Sequence, residues 1–223
     1  MREILLGGAV LLLEGAPRTG SAGLIASAAS RVLGLAPSDL VVTHSCSRCG
    51  SDDHGRPRVR VDNAASDTCA VSYAASGGYA IAAARAGDAL GVDIESIAAV
   101  SAHQVDNVLL HPAERKALLG LTGAERYRHR ARLWVAKEAV AKLTGAGLRM
   151  DVRDIRVRVD DDCADAAWPA GFGQHQGARV YFFAASAEVI GALAVPGGAE
   201  AGRLMPADAS AAAAASGRTA TPG

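Results

Sequence analysis

At 223 residues, half of them hydrophobic, the chain can bury a sizeable core as one domain or two small ones. Twenty-three basic side chains balance twenty-three acidic ones at a pI near 7, which excludes a nucleic-acid binder relying on broad positive charge. Mean hydropathy is +0.15, yet no apolar run approaches the roughly eighteen residues of a membrane span.

Residues 4–13, ILLGGAVLLL, follow Met1-Arg2-Glu3. A signal peptide wants a basic leader, but Arg2 and Glu3 cancel. Glu14 and Arg18 also interrupt the approach to the small-residue pattern at Ala26-Ser27-Ala28. The stretch therefore predicts a buried strand or hairpin arm in a cytoplasmic protein, followed by a helix over Ser21 to Leu33. Cys46-Ser47-Arg48-Cys49, with His54 five residues on, has metal-ligand character. A structural zinc takes four ligands, however, and the remaining cysteines, Cys69 and Cys163, are single, so all four are expected as reduced thiols. Cys49 to Pro57 is turn-rich, and Val71 to Gly78 leads into an apolar strand over Tyr79 to Ala84.

Leu90 to Glu95 alternates with period two, Leu90, Val92 and Ile94 facing one side and Asp93 and Glu95 the other. Two carboxylates on one strand face lie about 7 Å apart and repel unless something positive sits between them. A hard cation does that, and magnesium takes a few carboxylates plus substrate phosphates. The alternative is an acidic strand face in water.

Helices are predicted next over Ser101 to Leu110 and, opened by Pro112, over Ala113 to Leu119. A longer one follows over Glu125 to Leu143, ended by Gly145 and Gly147. On it Leu133, Val135, Ala136, Ala139, Val140 and Leu143 form one arc, with Trp134, Lys137, Glu138 and Lys142 opposite. The chain has three lysines, Lys116, Lys137 and Lys142, against twenty arginines. Two of them within six residues, beside a carboxylate, suggest compact ammonium groups chosen to meet phosphate; the alternative is an ordinary solvated i,i+4 pair of Glu138 with Lys142. Arg126 and Arg130 share one face and Arg128 and Arg132 another, as solvated charge that together attracts an acidic partner. Strands are predicted over 154–159, 179–184 and 189–195, with an acidic surface loop holding Asp160, Asp161, Asp162 and Asp165. Beyond Pro196 an alanine-, glycine- and serine-rich stretch without periodicity is expected to lie outside the fold.

Gly91-Val92-Asp93-Ile94-Glu95, followed about forty residues later by Trp134 to Lys142 (WVAKEAVAK), resembles the two signature motifs of the Sfp-type phosphopantetheinyl transferases. His54-Gly55-Arg56-Pro57 looks like that family's basic turn, His111-Pro112-Ala113-Glu114 like the segment before its key helix, and Thr144 to Leu148 like the exit from it. The resemblance covers roughly residues 1–197. It implies an α+β fold, a pseudo-two-fold arrangement of two similar halves (1–98 and 99–197) with the active site in the cleft between them, and a tail at 198–223. It further implies transfer of the phosphopantetheine arm of coenzyme A to a serine of an acyl or peptidyl carrier protein, releasing adenosine 3′,5′-bisphosphate, by a monomer that engages neither nucleic acid nor membrane. By position, Asp93, Glu95 and Glu138 would hold Mg2+, while Lys137 and Lys142 would grip phosphates and neutralise the leaving group. Glu138 would take the serine proton, and Arg56 and Ser76 would contact coenzyme A. Where the family usually reads S-H-S-G, Ala74 and Ala75 stand in place of the serine and the nucleotide-contacting histidine. Two other classes stay open: another magnesium-dependent enzyme acting on phosphate esters, and a catalytically silent module binding coenzyme A or a carrier protein.

Overall fold

The apolar start of the chain folds back on itself. Strands β1 (Arg2–Leu6) and β2 (Ala9–Gly15) pair antiparallel through Gly7 and Gly8, whose φ values of +54° and +74° suit a two-residue hairpin turn. The structure, a computed structural model, describes residues 1–17, 19–46, 49–61, 69–87, 89–102 and 106–197. The low-complexity stretch from residue 198 and part of the helix expected over Ser101 to Leu110 lie outside the described residues.

Helix α1 (Ser21–Leu33) ends on Gly34 in the left-handed region. The hairpin of β3 (Leu40–Ser45) and β4 (Arg56–Val61) follows, and then β5 (Ala70–Ser76) and β6 (Tyr79–Arg85). The first sheet has the order β1-β2-β6-β5. After β7 (Gly91–Ser96) come three short helices, α2 (Ile97–Ala102), α3 (Asp106–Leu109) and α4 (Pro112–Leu118), and the long α5 (Gly123–Thr144). Strands β8 (Arg156–Asp160), β9 (Cys163–Ala167), β10 (Gly177–Ala184) and β11 (Val189–Pro196) complete a second sheet in the order β7-β11-β10-β9-β8.

The two-half arrangement is visible in the connectivity. In each half a strand (β2 or β7) leads to a helix (α1 or α5) and then to four more strands. The last of these returns beside the first, and the penultimate pairs with the last. Among the differences, β1 is added to the first sheet and β3–β4 stands apart as a two-stranded ribbon, bridged at Val59 to Cys69. Strand β7 hydrogen-bonds to β11 in the second sheet.

Three clusters of apolar side chains define four layers. Leu24, Ile25, Ala28 and Ala29 of α1 pack on Leu12, Val71, Ala80 and Ala82 of the first sheet. Its other face, with Leu11, Leu13, Ile81 and Ala83, meets Val92, Ile94, Leu193 and Val195 of the second sheet. The far face of that sheet, with Val180, Ile190, Ala192 and Ala194, takes α5 through Leu133, Ala136 and Val140. The small residues on β7 and β11 let the helix approach closely. A Cβ on Gly91 would lie 1.9 Å from the carbonyl oxygen of Ala139. Such contact holds α5 in one register over β7.

The sequence suggested a single apolar arc on α5. Burial instead runs most of the way round, taking in Arg130, Ala131, Lys137 and Ala141 as well as the expected positions. Arg126 and Arg130 both pair with Asp106, at 3.0 and 2.8 Å, and Arg132 lies over the ring of Phe182. No helix among the described residues is long and apolar enough to cross a membrane.

Candidate active site

The carboxylates singled out in sequence stand where the open edges of the two sheets meet. Because Val92 and Ile94 point between the sheets, Asp93 and Glu95 turn toward α5, which carries Glu138 and Lys142 one helical turn apart. Among the described residues strand β7 has no strand partner on its outer side, and side chains take its exposed backbone groups. The N–H of Val92 donates to Oγ of Ser72 at 3.1 Å, and its carbonyl accepts from Nζ of Lys142 at 3.1 Å. The Lys142 ammonium also donates to the carbonyl of Tyr73 (3.3 Å) and to Oδ1 of Asp93 (2.8 Å). One cation thus ties α5 to both halves with all three of its protons. From the end of β5, Oγ of Ser76 donates to Oε1 of Glu95, which also accepts from the N–H of Ser96 at 2.9 Å.

The electrostatics are those of negative charge short of counter-charge. Burial pushes Asp93 up to about 6; Lys142 pulls it down, while Glu138 and Glu95 push it up further. Glu138 is raised as well, chiefly by burial, against Lys142 and with Glu95. The ammonium therefore offsets only part of the cost of gathering three carboxylates. Hard carboxylate oxygens are the donor type that magnesium takes, but the oxygens of Asp93, Glu95 and Glu138 are not all within 4.8 Å of one another as the side chains stand here. Asp93 already gives one oxygen to Lys142 and retains the other.

Lys137 is elsewhere. Five residues on a helix span 500°, so Lys137 and Lys142 project about 140° apart. Lys137 is fully buried, 2.8 Å from Oε2 of Glu114, and donates to the carbonyls of Leu109 (2.9 Å) and Val152 (3.0 Å). Lys137, expected to grip a phosphate, stands here with its side chain fully enclosed, whereas that of Lys142 is about one third exposed. Burial pulls its pKa down, and Glu114 opposes that. The partner Glu114 was quoted in the sequence only as part of a motif. Its Oε2 also accepts from the N–H of His111 in a capping box at the start of α4, and its Oε1 accepts from the N–H of Val157 on β8. The legible signal was a proline after the cap and a glutamate three residues on from His111; what it could not show was the lysine from α5.

Arg56 opens β4 and lines a cavity of about 240 Å³ with Ala89, Leu143, Thr144 and Trp168. Its guanidinium lies beside the exit of α5, where a Cβ on Gly145 would be 3.1 Å from Nη1. Ala74 is buried on β5 and Ala75 is exposed beside it, so the two alanines offer no polar group there.

Residues 89–191 match the family model described as the 4′-phosphopantetheinyl transferase superfamily. That segment is a little under half of the chain. It runs from just before β7 into β11 and contains Asp93, Glu95, Glu138 and Lys142. Among solved structures, the holo-[acyl-carrier-protein] synthase of Thermotoga maritima is similar at 19% identity and a TM-score of 0.40, over 48% of this chain and 61% of that one. The match thus spans about three fifths of that protein's length. No curated protein matches.

Proposed function

We propose that the chain is a phosphopantetheinyl transferase of the Sfp type, moving the phosphopantetheine arm of coenzyme A onto a serine of an acyl or peptidyl carrier protein. The observation that carries the reading is the meeting of Asp93, Glu95, Glu138 and Lys142 at one edge between the halves, within the segment that matches the superfamily. In the reaction the serine oxygen attacks the phosphorus that bears the pantetheine arm. A new phosphoester bond forms, the pyrophosphate bond breaks, and adenosine 3′,5′-bisphosphate leaves.

Magnesium, held by Asp93, Glu95 and Glu138, would supply charge neutralisation for the pyrophosphate. Glu138, made more basic by burial, accepts the serine proton. Lys142 orients Asp93 and places a positive charge beside the carboxylates, where it meets the leaving phosphate. Ser76 holds Glu95 in place, and Arg56 contributes a guanidinium for a phosphate of coenzyme A at the cavity by the exit of α5.

The test is mass spectrometry of apo-carrier proteins incubated with coenzyme A, magnesium and this protein. A mass gain of one phosphopantetheine arm is expected. No gain on any carrier over hours, with coenzyme A still bound, would establish a silent binding module instead.

A further inference from the structure

The turn between β3 and β4 brings together three side chains that the transfer chemistry leaves unused. The ligand atoms of Cys46, Cys49 and His54 all lie within 4.8 Å of one another, and Sγ of Cys49 is 3.3 Å from Nε2 of His54. The backbone is shaped to achieve this. The N–H of Gly50, at φ +73°, donates to the carbonyl of Cys46, whose own N–H donates to the carbonyl of Ser51. Gly55, at φ +104°, then folds His54 back over the first cysteine. A Cβ there would stand 2.5 Å from the carbonyl oxygen of Ser45 and 2.7 Å from Cα of Cys46, so only glycine makes the turn.

We propose that this turn is a zinc site, with Cys46 and Cys49 as thiolates, the imidazole of His54 as third ligand, and a water in the fourth position. Tetrahedral zinc with bonds of about 2.3 Å to sulfur and 2.0–2.1 Å to nitrogen sets its ligand atoms about 3.6–3.8 Å apart. The three atoms reach that separation by shifts of about 1 Å or less. Two sulfurs and an imidazole select zinc over magnesium or calcium, so the site is chemically distinct from the carboxylates on β7. Among the described residues no fourth cysteine or histidine joins the three, and exposure leaves that position to water: Cys49 and His54 are open to solvent and Cys46 half-buried. On binding, each thiol gives up its proton to solvent. The ion would close a short loop across the mouth of the ribbon and fix the path into Arg56, two residues beyond His54.

The test uses the full chain, stripped with a chelator under reducing conditions, reloaded with Zn2+ and desalted before elemental analysis. About one zinc per chain is expected in the wild type and in Cys163→Ser, and under a tenth in Cys46→Ser/Cys49→Ser. Cobalt(II) added to the stripped wild type should give strong thiolate-to-metal absorption and the visible bands of a tetrahedral ion, a readout that does not depend on any variant folding. A wild type that desalts without zinc and shows no such bands overturns the proposal. So does zinc retained by the double variant, or recovery of Cys46 and Cys49 as a disulfide that binds no metal.

Discussion

Lys137, Glu138 and Lys142 share one helix and have three different environments, and substitution separates them. Lys137→Met leaves the carboxylate of Glu114 buried beside backbone donors with no counter-charge, a loss of about 3–5 kcal/mol. Urea unfolding should show this as a large fall in midpoint. Glu138→Gln removes a half-buried charge that faces other carboxylates, so the midpoint should hold or rise while transfer to a carrier falls by more than tenfold. The opposite pattern would put Lys137 at the phosphates and Glu138 in the core. Asp93 adds a pH signature. Its carboxyl is raised from 3.8 to about 6 in the folded protein, so the folded state binds more protons between those values, and stability falls as pH rises through them. The cost, fully present above pH 6 and absent below 3.8, is roughly 3 kcal/mol. In the metal-free protein, Asp93→Asn should flatten that slope. A wild type whose unfolding midpoint is level from pH 4 to pH 7 would contradict the burial assigned to Asp93.

The element on which the site depends is the crossing of α5 over β7. Gly91 permits it, because the helix backbone at Ala139 and Leu143 occupies the space any side chain there would need. Gly91→Ala has to push the helix off the strand, at a cost at or above about 3 kcal/mol. The displacement would also move Glu138 and Lys142 away from Asp93. Gly120→Ala, where a Cβ meets nothing within 4 Å, is the matched control and should be nearly neutral. Thermal unfolding of the two variants checks this directly, and a Gly91→Ala protein as stable as the control would mean that helix and strand are not in contact. The outer edge of β7 is likewise sealed by side chains: Ser72 and Lys142 satisfy Val92 where another strand would otherwise add.

At the scale of the molecule, the second half contains the segment that matches the superfamily model, but its inner sheet face is covered by the first half. Val92, Ile94, Val189, Leu193 and Val195 are buried against Leu11, Leu13, Ile81 and Ala83. Residues 89–197 expressed alone should therefore aggregate or self-associate and lack a cooperative unfolding transition, because that apolar face has no cover. A monomeric fragment that melts cooperatively would show that the sheets do not depend on each other. The lysine that joins them, Lys142, is in the same position energetically: two of its three acceptors, Tyr73 and Val92, come from different sheets.

By itself the sequence determined what repeats over short distances. Period two at Leu90 to Glu95 placed the carboxylates on one strand face, and in β7 Val92 and Ile94 join the core between the sheets while Asp93 meets Lys142 of α5, although Asp93 is buried as well. The helix predicted from Ser21 to Leu33 has those ends in the structure, and the long helix differs by two residues at its start and one at its end. The cysteine and histidine spacing was visible too. What only the tertiary structure decided is which side of an element meets which neighbour. A helix buried on most sides has no polar face to read, so Lys137 and Lys142 looked equivalent until Glu114 claimed one and Asp93 the other. Strand β7 follows the first sheet in the chain and belongs to the second, since its partner β11 lies nearly a hundred residues on, and nothing local to Gly91 encodes that pairing. Cys46, Cys49 and His54 converge because the carbonyl of Ser45 leaves room for glycine alone at residue 55. Local periodicity follows from one stretch of backbone, whereas burial, pairing and pKa depend on atoms that distant stretches bring into contact.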